Sequence, residues 1–269
     1  MIKLIAMDLD GTLFDSDHKS VSDRNINALK SASEKGIKIV ISTGRTYSQI
    51  TNVLKRVGVI DYVIVSNGAS SIDNLGNVIS SDCMEYEEWK EIYNILEKND
   101  IVTEVYTFGN TYLKRSDIQG YKNSDLSEDL LDELRAVINL CDNVTETLRG
   151  KKAEKLTSIY VPAEKFLYLK KMFEERNMVV TSSIPGNMEI NKKGINKGRG
   201  LNKLCDNLNI KSDEVMAFGD GGNDIEMLKW AGCSFAMENA VDEAKAVAKY
   251  IADSNFNNGI AKEIEKRVL

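Results

Sequence analysis

The sequence predicts an α/β protein built on a parallel sheet, with a second unit of α+β character inserted into it. Over the first 80 residues, short apolar runs alternate with segments of helical periodicity, which is the pattern of βαβ units. This sequence pattern stops at about Cys83 and resumes near Gly194. A chain of 269 residues has room for about two domains.

The outer parts of the chain contain most of the predicted parallel sheet. Ser22 is a typical N-cap for a first helix that Gly36 closes. The other elements that we expect before the insert are strands at Leu4–Met7, Ile37–Ile41 and Tyr62–Val65, a helix at Tyr47–Val57 and a hairpin of 70–72 with 77–79. After the insert we expect helices at 197–208, 224–231, 240–248 and 259–269, and strands at 214–218 and 234–237.

The inserted part mixes helices with strands that alternate like antiparallel ones. The expected helices cover 85–99, Ser127–Leu140 and Ala163–Asn177. The expected strands cover 102–108, 111–114, 155–161, 179–184 and 188–190. This arrangement indicates an α+β unit placed within the α/β domain.

Composition excludes several classes of function. The net charge is −6 and no basic run stands out, which argues against a nucleic-acid or acidic-membrane partner. We expect no signal peptide or membrane helix, and four cysteines without CxxC spacing indicate reduced thiols in the cytoplasm. The single histidine, His18, lies in a polar loop and is expected to be solvated, so acid-base chemistry falls on carboxylates or lysines.

Two carboxylates follow the first predicted strand, in the run Asp8-Leu9-Asp10-Gly11-Thr12. Residues two apart in a strand point to the same side, and open α/β folds bind ligands at the carboxyl ends of their strands. Asp8 can therefore act as a nucleophile beside Asp10 as a proton carrier. The alternative is a pair of loop aspartates that cap a helix, but the full run after an apolar strand favours the catalytic interpretation.

A second acidic cluster lies in the run Gly219-Asp220-Gly221-Gly222-Asn223-Asp224. Carboxylates repel an anionic phosphate unless a cation neutralises them, and Mg²⁺ with oxygen ligands does this. Asp220 ends a predicted strand and Asp224 begins the next helix, so both are suitable. Asp224 is also explained as a helix N-cap, whereas Asp220 has no comparable alternative.

Two further positions are suited to binding an anion. Thr43 and Gly44 follow the second strand and precede a helix, where a hydroxyl and backbone N–H groups form a cradle. Lys197, at the start of its own helix, can contact phosphate as a point charge. Ser/Thr-Gly turns and solvated lysines are common, so the joint order of the four clusters carries the prediction of a magnesium-dependent phosphoryl-transfer site.

With these residues, the chain resembles the haloacid dehalogenase-like superfamily, in its Cof-type (subclass IIB) group of sugar-phosphate and related phosphatases. The resemblance covers essentially the whole chain and includes three further runs, Ser66-Asn67-Gly68-Ala69, Ala236-Met237-Glu238-Asn239-Ala240 and Asn258-Gly259-Ile260-Ala261. It implies a Rossmann-like core domain at 1–82 and 191–269, with an inserted α+β cap domain at 83–190.

The resemblance also implies a role for each site residue. Asp8 is the nucleophile that forms an aspartyl-phosphate, and Asp10 is the acid and base. Mg²⁺ is held by Asp8, the backbone carbonyl of Asp10 and Asp220, with Asp224 supporting these ligands. The implied phosphate-binding groups are the Leu9 amide, Thr43, Gly44, Lys197 and Asn223.

The expected function is hydrolysis of a small phosphorylated metabolite, such as a sugar phosphate or a phosphorylated cofactor. One alternative is a phosphomutase, which transfers phosphate between positions of one sugar. Another is a non-enzymatic phosphate-sensing or phospho-acceptor module, against which Asp10 and the large insert count.

The sequence leaves the substrate and the oligomeric state open. Arg45 and Asn187, the latter in the turn Pro185-Gly186-Asn187, are possible contacts for the substrate. Arg45 is equally explained as an ion-pair partner, and the turn as a plain connection. Asn67 either bridges core and cap or simply ends a strand.

Overall fold

A computed structural model of the chain describes residues 1–17, 19–123, 132, 135–182 and 186–269. His18, Pro185 and half of the predicted helix 127–140 lie outside the described residues. The chain divides into two compact units: the first comprises 1–45, 50–80 and 196–269, and the second comprises 46–49 and 81–195. The domain bounds expected from the sequence stay a prediction beside this division.

Fourteen strands are numbered in chain order over the described residues. The first five are β1 Leu4–Met7, β2 Lys38–Ser42, β3 Tyr62–Val65, β4 Ser70–Asp73 and β5 Val78–Ser81. The next six are β6 Glu104–Thr107, β7 Asn110–Lys114, β8 Ile138–Cys141, β9 Lys155–Ser158, β10 Met178–Thr181 and β11 Met188–Lys192. The last three are β12 Val215–Gly219, β13 Cys233–Met237 and β14 Tyr250–Ala252.

The α-helices are numbered in the same way. The first four are α1 Asp23–Glu34, α2 Thr51–Val57, α3 Tyr86–Lys98 and the single turn α4 Val144–Thr147. The next five are α5 Ala163–Glu174, α6 Lys197–Leu208, α7 Ile225–Trp230, α8 Asp242–Val247 and α9 Gly259–Arg267.

The first unit is built on an eight-stranded sheet with the order β14-β13-β12-β1-β2-β3-β4-β5. The six strands from β14 to β3 pair in parallel, which confirms the predicted α/β class, and β4 joins β3 antiparallel. In the register, Met7 at the end of β1 stands between Ile41 of β2 and Phe218 of β12. The residues that follow these three strands therefore meet at one edge of the sheet.

One face of this sheet packs against α6 and α7. Leu4 and Ala6 of β1 contact a cluster that includes Leu201 and Leu204 of α6 and Met227 of α7, all fully buried. Burying one leucine side chain contributes about 1.5–3 kcal/mol. The helix whose first residue is Lys197 is thus held firmly against the central strand.

The second unit is built on a six-stranded, mainly antiparallel sheet with the order β10-β11-β9-β6-β7-β8. Its α3 and α5 contribute Trp89 and Phe173 to a buried cluster with Leu156 and Ile190 on one face. Residues at alternate positions, Lys155 among them, point to the opposite face, where Lys155 Nζ lies 2.8 Å from Glu189 Oε1.

Two helix predictions are wrong in part. The predicted helix 127–140 does not reach its expected end, because Ile138–Cys141 forms β8 in parallel with β7 and buries Ile138 against Leu113. The predicted helix 47–57 is interrupted at Ile50. Its first part is a 3₁₀ turn, whose Ser48 N–H donates to the Gly109 carbonyl at 2.9 Å.

Strand β14, Tyr250–Ala252, was not expected from the sequence. Tyr250 and Ile251 are exposed at the sheet edge, so the segment lacks the apolar alternation of a half-buried strand. Among the described residues, no helix is both long and apolar enough to span a membrane.

Candidate active site

Three carboxylates converge at the carboxyl ends of β1 and β12. Asp8, Asp220 and Asp224 each place a carboxylate oxygen within 4.8 Å of the others. The Asp8 N–H donates to the Phe218 carbonyl at 3.1 Å, which extends the pairing of the two strands up to the site. Segments from opposite ends of the chain thus meet as the sequence predicts.

The turn after β1 brings Thr12 back to this cluster. Residues Leu9–Leu13 form a π-helical turn in which Gly11 has a φ of 76°. A Cβ on Gly11 would lie 2.2 Å from Asp220 Oδ2, so the close approach requires glycine. Thr12 Oγ1 donates to Asp220 Oδ1 at 2.6 Å and so holds the Asp220 carboxylate in place.

Asp224 is fully buried, and both of its carboxylate oxygens are engaged. Oδ2 accepts the N–H groups of Asp220 and Gly221, each at 2.9 Å. Oδ1 lies 2.7 Å from Lys197 Nζ. The side chain therefore braces the loop that carries Asp220, and it makes no capping bond to the helix that follows.

Lys197 is a buried cation and not a solvated one. Its Nζ lies 2.8 Å from Asp8 Oδ1 and 2.7 Å from Asp224 Oδ1, and the side chain is 0% exposed. Burial alone would lower the pKa of Lys197, but the adjacent Asp224 and Asp8 carboxylates outweigh burial and raise it. Asn196 fixes the position of Lys197 at the start of α6, because the Asn196 side chain accepts the Arg199 N–H and caps the helix.

The charge of this cluster fits a divalent cation. Three carboxylates and one ammonium leave two negative charges. Burial raises the pKa of Asp8 well above its usual value, and burial followed by repulsion from Asp224 raises the pKa of Asp220 to about 7. Burial is the main cause of both shifts and repulsion among the carboxylates adds to it, so a cation beside these groups would favour their ionised forms. Carboxylate oxygens are the ligands that Mg²⁺ prefers.

Asp10 lies apart from the three clustered carboxylates and binds Arg45. Arg45 Nε donates to Asp10 Oδ2 at 2.8 Å and Nη2 donates to Oδ1 at 2.6 Å, a bidentate pair. The Arg45 guanidinium also lies 5.1 Å from the centre of the Phe14 ring. The ion-pair interpretation of Arg45 is therefore the one observed, and contact with a substrate stays a prediction.

The predicted phosphate-binding residues lie on loops at the same edge of the sheet. Thr43 is buried, its N–H donates to the Ile64 carbonyl, and its Oγ1 accepts the Arg45 N–H at 3.2 Å. Leu9 and Gly44 occupy the turns that follow β1 and β2. Asn223 precedes Asp224, and its Nδ2 donates to Asn67 Oδ1 at 3.2 Å.

Sequence reasoning missed the supporting role of two asparagines. Asn67 was expected either to bridge two domains or to end a strand, yet it contacts Asn223 within the first unit. Asn239 donates to the Gly11 carbonyl at 2.8 Å and so supports the turn after β1. Both asparagines lie in sequence runs that the family resemblance includes, and those runs were the signal from which their role could have been predicted.

Asn187 belongs to the second unit. It is buried, and its Oδ1 accepts a hydrogen bond from Ser182 Oγ at 2.8 Å. Pro185 of the predicted turn lies outside the described residues. A role of Asn187 toward a substrate stays a prediction.

Comparison with known proteins gives consistent results. A family model described as haloacid dehalogenase-like hydrolase matches residues 5–264. A relative from Bacillus subtilis strain 168, named 5-amino-6-(5-phospho-D-ribitylamino)uracil phosphatase YcsE, is 31% identical over 270 residues, covering 100% of this chain and 96% of the relative.

Two solved structures are similar over almost their full length. A haloacid dehalogenase-like hydrolase from B. subtilis has a TM-score of 0.86 at 28% identity, covering 100% of both chains. A sugar phosphatase of haloacid dehalogenase subclass IIB has a TM-score of 0.81 at 26% identity, covering 98% of both chains.

Proposed function

Because this chain belongs to the haloacid dehalogenase-like hydrolase family and is a phosphatase of small phosphorylated metabolites, we propose that it works with Mg²⁺ through an aspartyl-phosphate on Asp8. The observation that carries this proposal is the convergence of Asp8, Asp220 and Lys197 at the end of the central strand. A nucleophile, a cation site and a fixed positive charge are then adjacent.

Asp8 attacks the phosphorus atom of the substrate and displaces the alcohol oxygen. Asp8, Asp220 and the backbone carbonyl of Asp10 would hold Mg²⁺, with Asp224 bracing the loop of Asp220. When bound, Mg²⁺ neutralises the charge of the phosphate oxygens and of the carboxylates around them. Lys197 favours the ionised, nucleophilic form of Asp8, because the ammonium lies 2.8 Å from Asp8 Oδ1 and opposes the effect of burial on the pKa of that carboxyl.

Asp10 donates a proton to the leaving alcohol oxygen and then takes one from water. That water attacks the phosphorus atom of the aspartyl-phosphate, which releases inorganic phosphate and regenerates the Asp8 carboxylate. In the present arrangement Arg45 occupies both oxygens of Asp10. Arg45 therefore fixes the orientation of the Asp10 carboxylate.

The non-reacting phosphate oxygens are bound by groups from several loops of the first unit. We assign this role to the Leu9 and Gly44 amides, the Thr43 hydroxyl, the Lys197 ammonium and the Asn223 amide. This assignment is supported by the position of these groups, which all lie at the carboxyl edge of the parallel sheet. Fixed donors at this edge stabilise the charge that develops on the phosphate oxygens.

The first substrates to test come from the named relatives. One is called a 5-amino-6-(5-phospho-D-ribitylamino)uracil phosphatase and another a sugar phosphatase. Both names describe a phosphate ester on a polyhydroxylated carbon chain. We propose that the substrate of this chain is a phosphate monoester of that kind.

A phosphate-release assay over about a hundred phosphorylated metabolites tests the proposal, with Mg²⁺ and with a chelator. We expect release from phosphorylated sugars or ribityl compounds, which requires Mg²⁺ and is lost in Asp8→Asn. Turnover in the chelator, or in Asp8→Asn, would contradict the mechanism. Formation of an isomeric phosphate without free phosphate would instead indicate the mutase.

A further inference from the structure

The turn that follows β3 has an unusual backbone. Ser66, Asn67 and Gly68 have φ values of 53°, 60° and 99°, three consecutive residues in the left-handed region. Such a conformation is strained for each non-glycine residue and persists only where the surroundings enforce it. Asparagine tolerates this region better than most residues.

The backbone of this turn holds the loop after β2. The Ser66 N–H donates to the Arg45 carbonyl and the Asn67 N–H donates to the Thr43 carbonyl, both at 3.0 Å. These two bonds reach both ends of the segment Thr43–Arg45, which contains the proposed phosphate-binding hydroxyl and amide. A displaced turn would therefore displace this cradle.

The side chain of Asn67 holds Asn223. Asn67 Oδ1 accepts from Asn223 Nδ2 at 3.2 Å, and the two residues are only 3% and 9% exposed. An amide nitrogen carries two hydrogens. Donation of one to Asn67 sets the plane of the Asn223 amide and leaves the second for a phosphate oxygen.

The turn also packs directly on the start of α6. A Cβ on Gly68 would lie 2.2 Å from the Asn196 carbonyl oxygen, and one on Gly200 would lie 2.8 Å from the Gly68 Cα. The two backbones therefore touch just before and just after Lys197. One three-residue turn thus contacts all three loops that supply the side chains of the proposed phosphate site.

We propose that Asn67 is a positioning residue for phosphate binding, which acts by orienting the Asn223 amide. This inference rests on the proposed function, since it assumes that Asn223 binds phosphate. The strained backbone of the turn keeps the Asn67 side chain directed toward Asn223.

Asn67→Gly is the decisive variant, because glycine accepts a φ of 60° and only the side chain is lost. We expect the inhibition constant of inorganic phosphate, and the KM of a phosphate ester, to rise about tenfold. The melting temperature should stay within a few degrees of the wild type. Asn209→Gly is the matched control, since Asn209 has a φ of 55° at the exposed end of α6, and neither constant should change.

Asn67→Ala separates positioning from stability. It removes the same acceptor but adds backbone strain, so the melting temperature should fall further than in Asn67→Gly. A positioning role requires the same inhibition constant in both variants. A constant that follows the melting temperature would overturn the inference, as would one unchanged in Asn67→Gly.

The double variant Asn67→Gly with Asn223→Ala tests the route of the effect. If Asn67 acts through Asn223, the double variant has the phosphate inhibition constant of Asn223→Ala alone, within about twofold. Losses that multiply would overturn the inference. If Asn223→Ala itself leaves phosphate inhibition unchanged, the assigned phosphate site fails, which is a failure of the proposed function and not of Asn67 alone.

Discussion

Lys197 is the residue that balances part of the negative charge of the three clustered carboxylates. It is completely buried, and it lies 2.8 Å from Asp8 and 2.7 Å from Asp224. Removing a buried partner leaves an uncompensated charge, which costs about 3–5 kcal/mol. The same ammonium thus supports the fold of the first unit and, in the proposed mechanism, favours the ionised form of Asp8.

Asp10→Asn tests the acid and base at this scale. We expect kcat to fall by about 10²–10⁴, the usual contribution of a positioned acid or base. Binding of Mg²⁺ and of inorganic phosphate should persist, because the three clustered carboxylates do not include Asp10. Steady-state kinetics and phosphate inhibition measure both effects. Asp23→Asn, whose side chain is 91% exposed, serves as the control; near-normal turnover in Asp10→Asn would remove Asp10 from the mechanism.

Asp220 leads to a prediction about pH. Its pKa is raised from 3.8 to about 7 in the folded, magnesium-free protein. Between these values the folded state holds a proton that the unfolded chain has lost, so the stability that this carboxyl contributes is fully present below pH 3.8 and is lost as pH rises to about 7. Neutral Asn at this position removes that decline.

The check is the melting temperature in chelator at pH 5, 6.5 and 8. From pH 5 to pH 8 we expect the melting temperature of Asp220→Asn to fall less than that of the wild type, by roughly 3 °C or more. Adding Mg²⁺ at pH 8 should restore the melting temperature of the wild type and leave that of the variant unchanged. Parallel melting curves for the two proteins would show that Asp220 does not carry the excess charge.

The turn Leu9–Leu13 shows how one element joins two ends of the chain. Gly11 has a left-handed φ, Thr12 donates to Asp220, and Asn239 donates to the Gly11 carbonyl. Each contact reaches a loop from the second half of the sequence. The turn is therefore a junction between strands and more than a connection to α1.

Gly11→Ala tests this junction, because its Cβ would collide with the Asp220 carboxylate at 2.2 Å. We expect a loss of kcat of about 10²-fold or more together with weaker Mg²⁺ binding, since a displacement near 1 Å is costly in a catalytic site. Gly36→Ala is matched: its φ is 83°, but nothing lies within 4 Å of the added atom. Gly36→Ala should lower the melting temperature and retain normal kcat; equal effects on kcat would assign the loss at Gly11 to backbone strain alone.

The whole molecule consists of two units with separate sheets and separate buried clusters. The clustered carboxylates all belong to the first unit, where the parallel sheet brings the ends of β1 and β12 together. A cation bound there adds stability to the state that binds it, by about 2.7 kcal/mol at a hundredfold excess over Kd.

Hydrogen exchange with and without Mg²⁺ tests where that stability appears. We expect added protection in the loops after β1 and β12 and at the start of α6, because local opening there releases the cation. Amides of the second unit, such as those of α3 and α5, should change little. Protection spread evenly over both units, or its absence near Asp220, would contradict a cation site in the first unit.

Local chemistry made much of the molecule predictable. The bounds of α6 agree with the expected 197–208, because Asn196 caps its start and Asn209, in the left-handed conformation, ends it. Strand β1 follows from a fully buried apolar run. The helix expected to end at Leu140 was wrong, since pairing with β7 decides that segment as a strand and local periodicity does not report such pairing.

The sequence by itself determined the fold class, the family and the residues of the acidic cluster, because apolar periodicity and short motifs are local properties of the chain. Tertiary structure alone decided which partners those residues have: Arg45 for Asp10, Asp8 and Asp224 for Lys197, and Asn67 for Asn223. The physical reason is that these contacts join loops from different strands. Their geometry depends on strand order and register, which no single segment encodes.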